Sequence, residues 1–262
     1  VAAFTNGADI NGSVGGLNMM SAASVGSALT LDIPTARTWA NAIGSRWGLI
    51  SIHDYSLIEI FRQIETCSLN AQTSIGKGVS ELSWTRRFGG KSSGANSINS
   101  NVALNGTGMG IGTNGQVSVG WRTLNDLWGN VWQFIDGLEA VDDAFRVIRR
   151  DGLGTFRNPM QTSDYESSIA APVRDSANDG YGKNILYEDL TKLLRIVNQS
   201  GGSSSTYLCD YYYAHRSSQS NICLAGGAWY PGLRCGPAYL YLDYGAGVSD
   251  RALARAPFLF EG

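Results

Sequence analysis

Leu124-Asn-Asp-Leu-Trp-Gly-Asn-Val-Trp-Gln-Phe-Ile-Asp-Gly137 is the stretch on which the fold turns. Its content is large aromatics set among Asn, Asp and Gly. Trp128 and Trp132 can hold an irregular, strand-poor domain together. Asn125, Asp126, Asn130 and Asp136 can satisfy backbone groups in turns, and Gly129 permits close backbone approach. The residues read as structural rather than catalytic.

Upstream lie two helices. Asp32 can cap the first, Pro34 fits its first turn, and Gly44 fits just past its end. Ile33, Ala36, Trp39, Ala40 and Ile43 fall on one face, so a helix is predicted over 33–43. The second, predicted over 52–65, begins at Ser51-Ile-His-Asp54, a capping box with Asp in the acidic position. Leu57, Ile58, Phe61 and Ile64 are its predicted buried stripe. Trp47-Gly-Leu-Ile50 joins the two as a short buried segment. Between 70 and 120 the chain reads as turns and short strands, for example Leu82-Ser-Trp-Thr85. Gly110-Ile-Gly-Thr-Asn-Gly115 matches G-x-G-x-x-G. A dinucleotide loop opens a helix, whereas Gln116–Trp121 alternates like a strand, so a nucleotide site is rejected.

Downstream, Phe145–Ile148 reads as a strand and 151–183 as turn-rich. Tyr187–Asn198 is predicted helical, with Leu190, Leu193, Leu194 and Val197 as its stripe. Cys209–Gly262 is aromatic-rich and strand-like. Helices first and short strands later predict an α+β fold rather than α/β.

Composition narrows the function. The 262 residues suit one large domain or two small ones, and only 16% are charged, with a net charge of −2. That argues against a nucleic-acid partner. No apolar run approaches the ~18 residues needed to span a bilayer, so membrane insertion is not expected. The start, Val1-Ala-Ala-Phe-Thr5, lacks signal-peptide character and an initiator Met, as expected of a soluble fragment or processed form. Four cysteines, 67, 209, 223 and 235, form no C-x-x-C. They read as free buried thiols or at most one disulfide, and no zinc site or other cofactor is expected. His53 and His215 read as surface or capping residues.

Two segments together carry a resemblance. Residues 124–137 resemble the D-L-x-G-N-V-W-E-W signature of formylglycine-generating-enzyme-type domains, with Gln133 and Phe134 in place of Glu and Trp. Leu224-Ala-Gly-Gly-Ala-Trp-Tyr-Pro-Gly-Leu-Arg-Cys-Gly-Pro-Ala-Tyr-Leu-Tyr-Leu-Asp-Tyr244 is similar to that family's R-G-G-x-W segment. It is more similar still to the hypervariable C-terminus of diversity-generating-retroelement variable proteins. Thr35–Ser51 resembles the family's A-R-x-x-A-x-x-x-G-x-x-W-x-L-x-T. The resemblance implies a single C-type lectin domain over 1–262, with two early helices on small antiparallel sheets. It also implies an insertion at 151–223 and a variable ligand-binding segment at 225–256.

On the family pattern the variable positions are Ala228, Tyr230, Pro231, Arg234, Tyr241, Asp243 and Tyr244, followed by Leu233, Val248, Asp250 and Ala252. Gly226, Gly227, Trp229, Gly232, Cys235, Gly236, Pro237, Leu240, Leu242 and Ser249 are framework. Diversified Asn codons of such elements cannot become Lys, Glu, Gln, Met or Trp; none of the first four occurs from Ala225 to Phe260, and the one Trp there, Trp229, sits at a framework position. Past Ser249 the match drifts. Period two separates Leu240 and Leu242 from Tyr241 and Asp243.

The implied function is receptor binding through a diversified, Tyr-rich surface. Its partner would be a protein or glycan on a target cell, met from a virion tail tip or a microbial surface. Two alternatives remain. One is a formylglycine-generating-type oxidase, with Cys235 as the candidate nucleophile and no second Cys a few residues away. The other is a calcium-dependent lectin, although Glu-Pro-Asn, Gln-Pro-Asp and Trp-Asn-Asp are all missing from the sequence.

Overall fold

The computed structural model describes residues 6–7, 20–21, 32–43, 47–83, 106–122, 124–141, 144–148, 165–170, 179–188, 193–198, 201–214, 220–248, 253–254 and 257–259. Strands β1 (Asn6–Gly7) and β2 (Met20–Ser21) pair first. Helix α1 spans Ile33–Ile43. Asp32 caps it, its carboxylate accepting the Thr35 N–H at 2.9 Å. Ile33 and Ala36 are buried as expected, while the Trp39, Ala40 and Ile43 side chains lie outside the described residues. Strand β3 (Trp47–Leu49) leads into α2 (Ile52–Thr66). The Ser51 Oγ accepts the Asp54 N–H at 3.0 Å and donates to Asp54 Oδ2 at 2.5 Å, so Ser51 caps the helix while the Asp54 carboxylate bonds the Ser51 hydroxyl rather than its N–H. A short α3 (Ala71–Ser74) follows.

Strands β4 (Gly108–Met109), β5 (Val119–Trp121) and β6 (Leu124–Asn125) form a small antiparallel sheet. Next come β7 (Trp132–Val141), β8 (Ala144–Ile148), β9 (Tyr165–Ala170) and β10 (Asp179–Tyr181). After them come β11 (Asn184–Glu188), β12 (Leu193–Asn198), β13 (Tyr211–Ala214) and β14 (Asn221–Gly226). The last are β15 (Gly236–Leu242), β16 (Leu253–Ala254) and β17 (Pro257–Leu259). The main sheet runs β10-β13-β15-β14-β7-β8-β9, with β16 beside β7, while β17 pairs with β3. Three of its strands, β9, β10 and β13, come from within 151–223.

The described residues are therefore mixed α and β, mostly strand with few helices, which is compatible with an α+β fold. The sheet is larger than expected and not wholly antiparallel. β15 inserts between β13 and β14, which are consecutive in the chain and run in opposite directions. It is antiparallel to β14 and must then be parallel to β13. β16 also runs parallel to β7.

Alternation along the strands separates two cores. One face buries Ile135, Leu138, Tyr212, Cys223, Ala225, Leu240 and Leu242 under α2 and the β11–β12 hairpin. The other buries Trp132, Phe134, Tyr211, Leu224, Trp229 and Tyr239, with Ile33 and Ala36 of α1. Arg37 of α1 pairs across this core with Asp136 of β7, Nε to Oδ2 at 2.8 Å.

Four expectations are corrected. The apolar stripe of α2 faces outward: Leu57, Phe61 and Ile64 are 49–68% exposed and Ile58 is only partly buried. The buried face is Ile52, Tyr55, Ser56, Glu59 and Arg62. Its charges are paired internally, the Arg62 guanidinium donating to both Glu59 oxygens at 2.7 and 2.6 Å. His53 is buried too, bonded through Nε2 to the Ile148 carbonyl at 3.1 Å. Of the predicted helix 187–198, Tyr187 and Glu188 belong to β11 and Leu193–Asn198 form β12, while 189–192 lie outside the described residues. The three-four spacing of its leucines imitates a helical stripe. Pairing of Ile185 with Ile196 and donation of the Leu194 N–H to Ser56 Oγ at 2.5 Å settle the strand form. Leu82 is in a bend and Ser83 has no regular structure, so neither is strand, and Trp84-Thr85 lie outside the described residues. The 110–115 glycines form a turn that opens no helix.

Candidate functional site: a tyrosine-rich sheet face

The segment 226–237 is held by its backbone. Gly226 adopts φ +87°, and a Cβ there would come within 2.7 Å of the Leu127 carbonyl oxygen, so only glycine fits. Its own carbonyl accepts the Gly129 N–H at 3.0 Å. Trp229 is fully buried, donates from Nε1 to the Ser83 carbonyl at 3.2 Å, and its carbonyl accepts the Leu82 N–H at 2.7 Å. Pro231 opens a 3₁₀ turn over Gly232–Arg234. Gln72 of α3 donates from Nε2 to the carbonyls of Gly232 and Cys235, at 3.1 and 2.6 Å. These staples fix the main chain without using the side chains of residues 230, 231, 233 or 234.

The 124–137 stretch supports this turn from beneath. Trp128 is fully buried and bonded to the Gly76 carbonyl at 3.0 Å. Asp126 accepts from the Val119 N–H and from Asn130 Nδ2. Asn130 thus bonds a side chain, whereas Asp136 accepts the Gly137 N–H as well as Arg37.

Most of the residues expected to touch ligand reach the surface. Tyr230, Leu233, Arg234 and Tyr244 are exposed, and Pro231, Tyr241, Asp243 and Val248 are half-buried. Ala228 is a correction. It is fully buried in the core beside Trp229 and presents nothing at the surface. Asp250 and Ala252 lie outside the described residues. Leu240 and Leu242 are buried on the opposite side of β15, as alternation requires. Tyr239, although it shares a side with Tyr241, is buried.

The structure adds partners that sequence reasoning missed. β13 and β10 place Tyr181, Tyr211, Tyr213 and Asp179 on the same face as Tyr241. Tyr181 lies opposite Tyr211, and Asp179 opposite Tyr213. One cross-strand row is Tyr181, Tyr211, Tyr239 and Trp132, with successive ring centroids 4.9, 5.7 and 4.7 Å apart. The next is Asp179, Tyr213 and Tyr241. The Tyr213 and Tyr241 rings stack at 4.8 Å, and Tyr244 leans on Tyr241 at 5.3 Å. Tyr211-Tyr-Tyr213 carried the signal: period two sends its middle residue into the opposite core and its outer two to this face.

Arg234 ties the turn to the rows, its guanidinium 4.5 Å from the Tyr211 ring centroid. The Tyr241 hydroxyl donates to Asp243 at 3.3 Å. Burial, with Asp179 as hydrogen-bond acceptor, pushes the Tyr211 phenol up to about 12, and Tyr241 is raised further. These phenols are neutral at physiological pH.

Cys235 is fully buried, with Sγ 3.3 Å from the Ala228 carbonyl, and burial holds its thiol far above the usual range. Burial thus favours the neutral thiol over the thiolate and leaves Cys235 with no exposed surface. All four cysteines are free, with Cys67 exposed and the others buried. Among the described residues no cluster of three or more His, Cys, Asp or Glu can hold a metal ion. No helix among them is long and apolar enough to cross a membrane. In comparison with known proteins, no family model matches the chain and no curated protein matches it.

Proposed function

We propose that this chain is a receptor-binding protein of the retroelement-diversified kind. It would be a C-type lectin scaffold displaying a variable, Tyr-rich face to a protein or glycan on a target cell, from a virion tail tip or a microbial surface. The observation that carries the reading is the division of labour in 229–244. Tyr230, Leu233 and Arg234 are exposed on the turn before β15 and Tyr244 just past its end, while the framework residues Trp229, Cys235, Leu240 and Leu242 are buried. Side chains at the exposed positions can change while the staples stay. Tyr supplies large contact area at small entropy cost, and Tyr and Arg are types on which binding energy concentrates. The burial of Cys235 speaks against the oxidase alternative.

The test is a set of swaps at Tyr230, Leu233, Arg234, Asp243 and Tyr244, read by attachment to target cells. Attachment is lost or redirected while the fold persists. Unchanged attachment, or peptide-cysteine oxidation that depends on Cys235, overturns the reading. A template repeat with Asn codons at these positions, beside a reverse-transcriptase gene, would support it independently.

A further inference from the structure

The first aromatic row already holds a cation. Arg234 lays its guanidinium over the Tyr211 ring at 4.5 Å, and the Tyr211 hydroxyl donates to Asp179 Oδ2 at 2.7 Å. Guanidinium, ring face and carboxylate are assembled within one chain.

The second row, two residues along each strand, repeats that chemistry. Tyr213 lies directly between Asp179 on β10 and Tyr241 on β15. Its ring is nearly parallel to that of Tyr241, at 13°, and Tyr244 closes the far side with 42% of its surface exposed. Asp243 joins the same cluster through the Tyr241 hydroxyl. Asp243 and Asp179 both raise the Tyr213 phenol, after burial, so both negative charges act on this ring. Electron-rich ring faces and carboxylates attract the same ligand, a cation. A guanidinium suits the site better than an ammonium, because it is planar, stacks on rings and can bond a carboxylate through two donors.

We propose that Tyr213, Tyr241 and Tyr244, flanked by Asp179 and Asp243, form a subsite for an arginine side chain of a protein partner, with Arg234 on Tyr211 as its intramolecular counterpart. The inference rests on the binding-face reading above and selects a protein over a neutral glycan. It also makes Tyr213 and Asp179, which lie outside the variable segment, fixed contributors to specificity.

The probes are the peptide acetyl-Gly-Arg-Gly-amide, its citrulline counterpart and a set of neutral methyl glycosides. Each is titrated into the full chain at low salt, with the tyrosine ring resonances followed by NMR. The arginine peptide shifts the resonances of Tyr213, Tyr241 and Tyr244 saturably, and citrulline does not. Tyr244→Leu weakens binding about two- to five-fold, the worth of one exposed cation–ring contact, while Tyr244→Phe retains it. Asp243→Asn weakens binding and flattens its salt dependence. Tyr244 is exposed, so the Leu and Phe variants at this position are read on a folded chain. Equal binding of the two peptides, no saturable shift, full binding by Tyr244→Leu, or shifts from the glycosides alone overturns the subsite. If the peptide fails while the swaps still abolish cell attachment, the subsite falls and the binding face stands. If the swaps leave attachment intact, the binding face falls.

Discussion

Asp210 shows how tightly the site is backed. It is fully buried, one oxygen accepts the Ala238 N–H at 2.7 Å, and the carboxylate presses on Gly236, where a Cβ would meet it at 2.0 Å. Burial, with the Glu59 charge adding to it, pushes this carboxyl from 3.8 up to about 8. Between those values the folded chain keeps a proton that the unfolded chain has released. The group's contribution to stability is therefore full below pH ~4 and is lost as pH rises towards 8. Urea denaturation across this range will show wild type declining relative to Asp210→Asn; parallel profiles would contradict it. Trp132 is the second residue of consequence. It is 6% exposed, with Tyr239 and Tyr241 at 4.7 and 5.2 Å. Trp132→Ala should cost ~3–5 kcal/mol, as deletion of a large core aromatic does. A loss within experimental error would contradict its place beneath the site.

Helix α2 is where an element's pattern and its packing part company. Leu57, Phe61 and Ile64 sit at helical spacing, yet they face outward while Glu59 and Arg62 face the sheet. Two stability measurements separate these faces. Phe61→Ser should change unfolding free energy by no more than about 0.5 kcal/mol, as for an ordinary surface site. Glu59→Ala strands the buried Arg62 and should cost ~3–5 kcal/mol. The opposite ranking would restore the apolar stripe as the buried face. The caps of α1 and α2 were legible because capping is local: Asp32 and Ser51 each bond an N–H three residues on. The β11–β12 hairpin was not, because Ser56, 138 residues from Leu194, supplies part of its hydrogen bonding.

Across the whole molecule, one strand serves both core and surface. β15 rests Leu240 and Leu242 on one core and turns Tyr241 to the face shared with β10 and β13. Substitutions at that face should then differ in cost. Replacing Tyr230, Leu233, Arg234 and Tyr244 together should leave the melting temperature within a few degrees of wild type, since each reaches solvent. Tyr241→Ser should cost about 1–3 kcal/mol, because its ring touches Trp132, Tyr213 and Tyr244. Calorimetry of the two variants checks this, and equal melting temperatures would contradict it.

Local chemistry by itself determined the two early helix boundaries, the alternation of 240–243 and the burial of Trp128, Trp132 and Trp229. Each depends on neighbours within a few residues or on the strong preference of large aromatics for the interior. Only the tertiary structure decided that Ala228 is core, that α2 buries its charges, and that 193–198 is strand. It also brought Tyr181, Tyr211 and Tyr213 to Tyr241. That meeting follows from β15 entering between β13 and β14, a pairing of segments about 28 residues apart that no local pattern encodes.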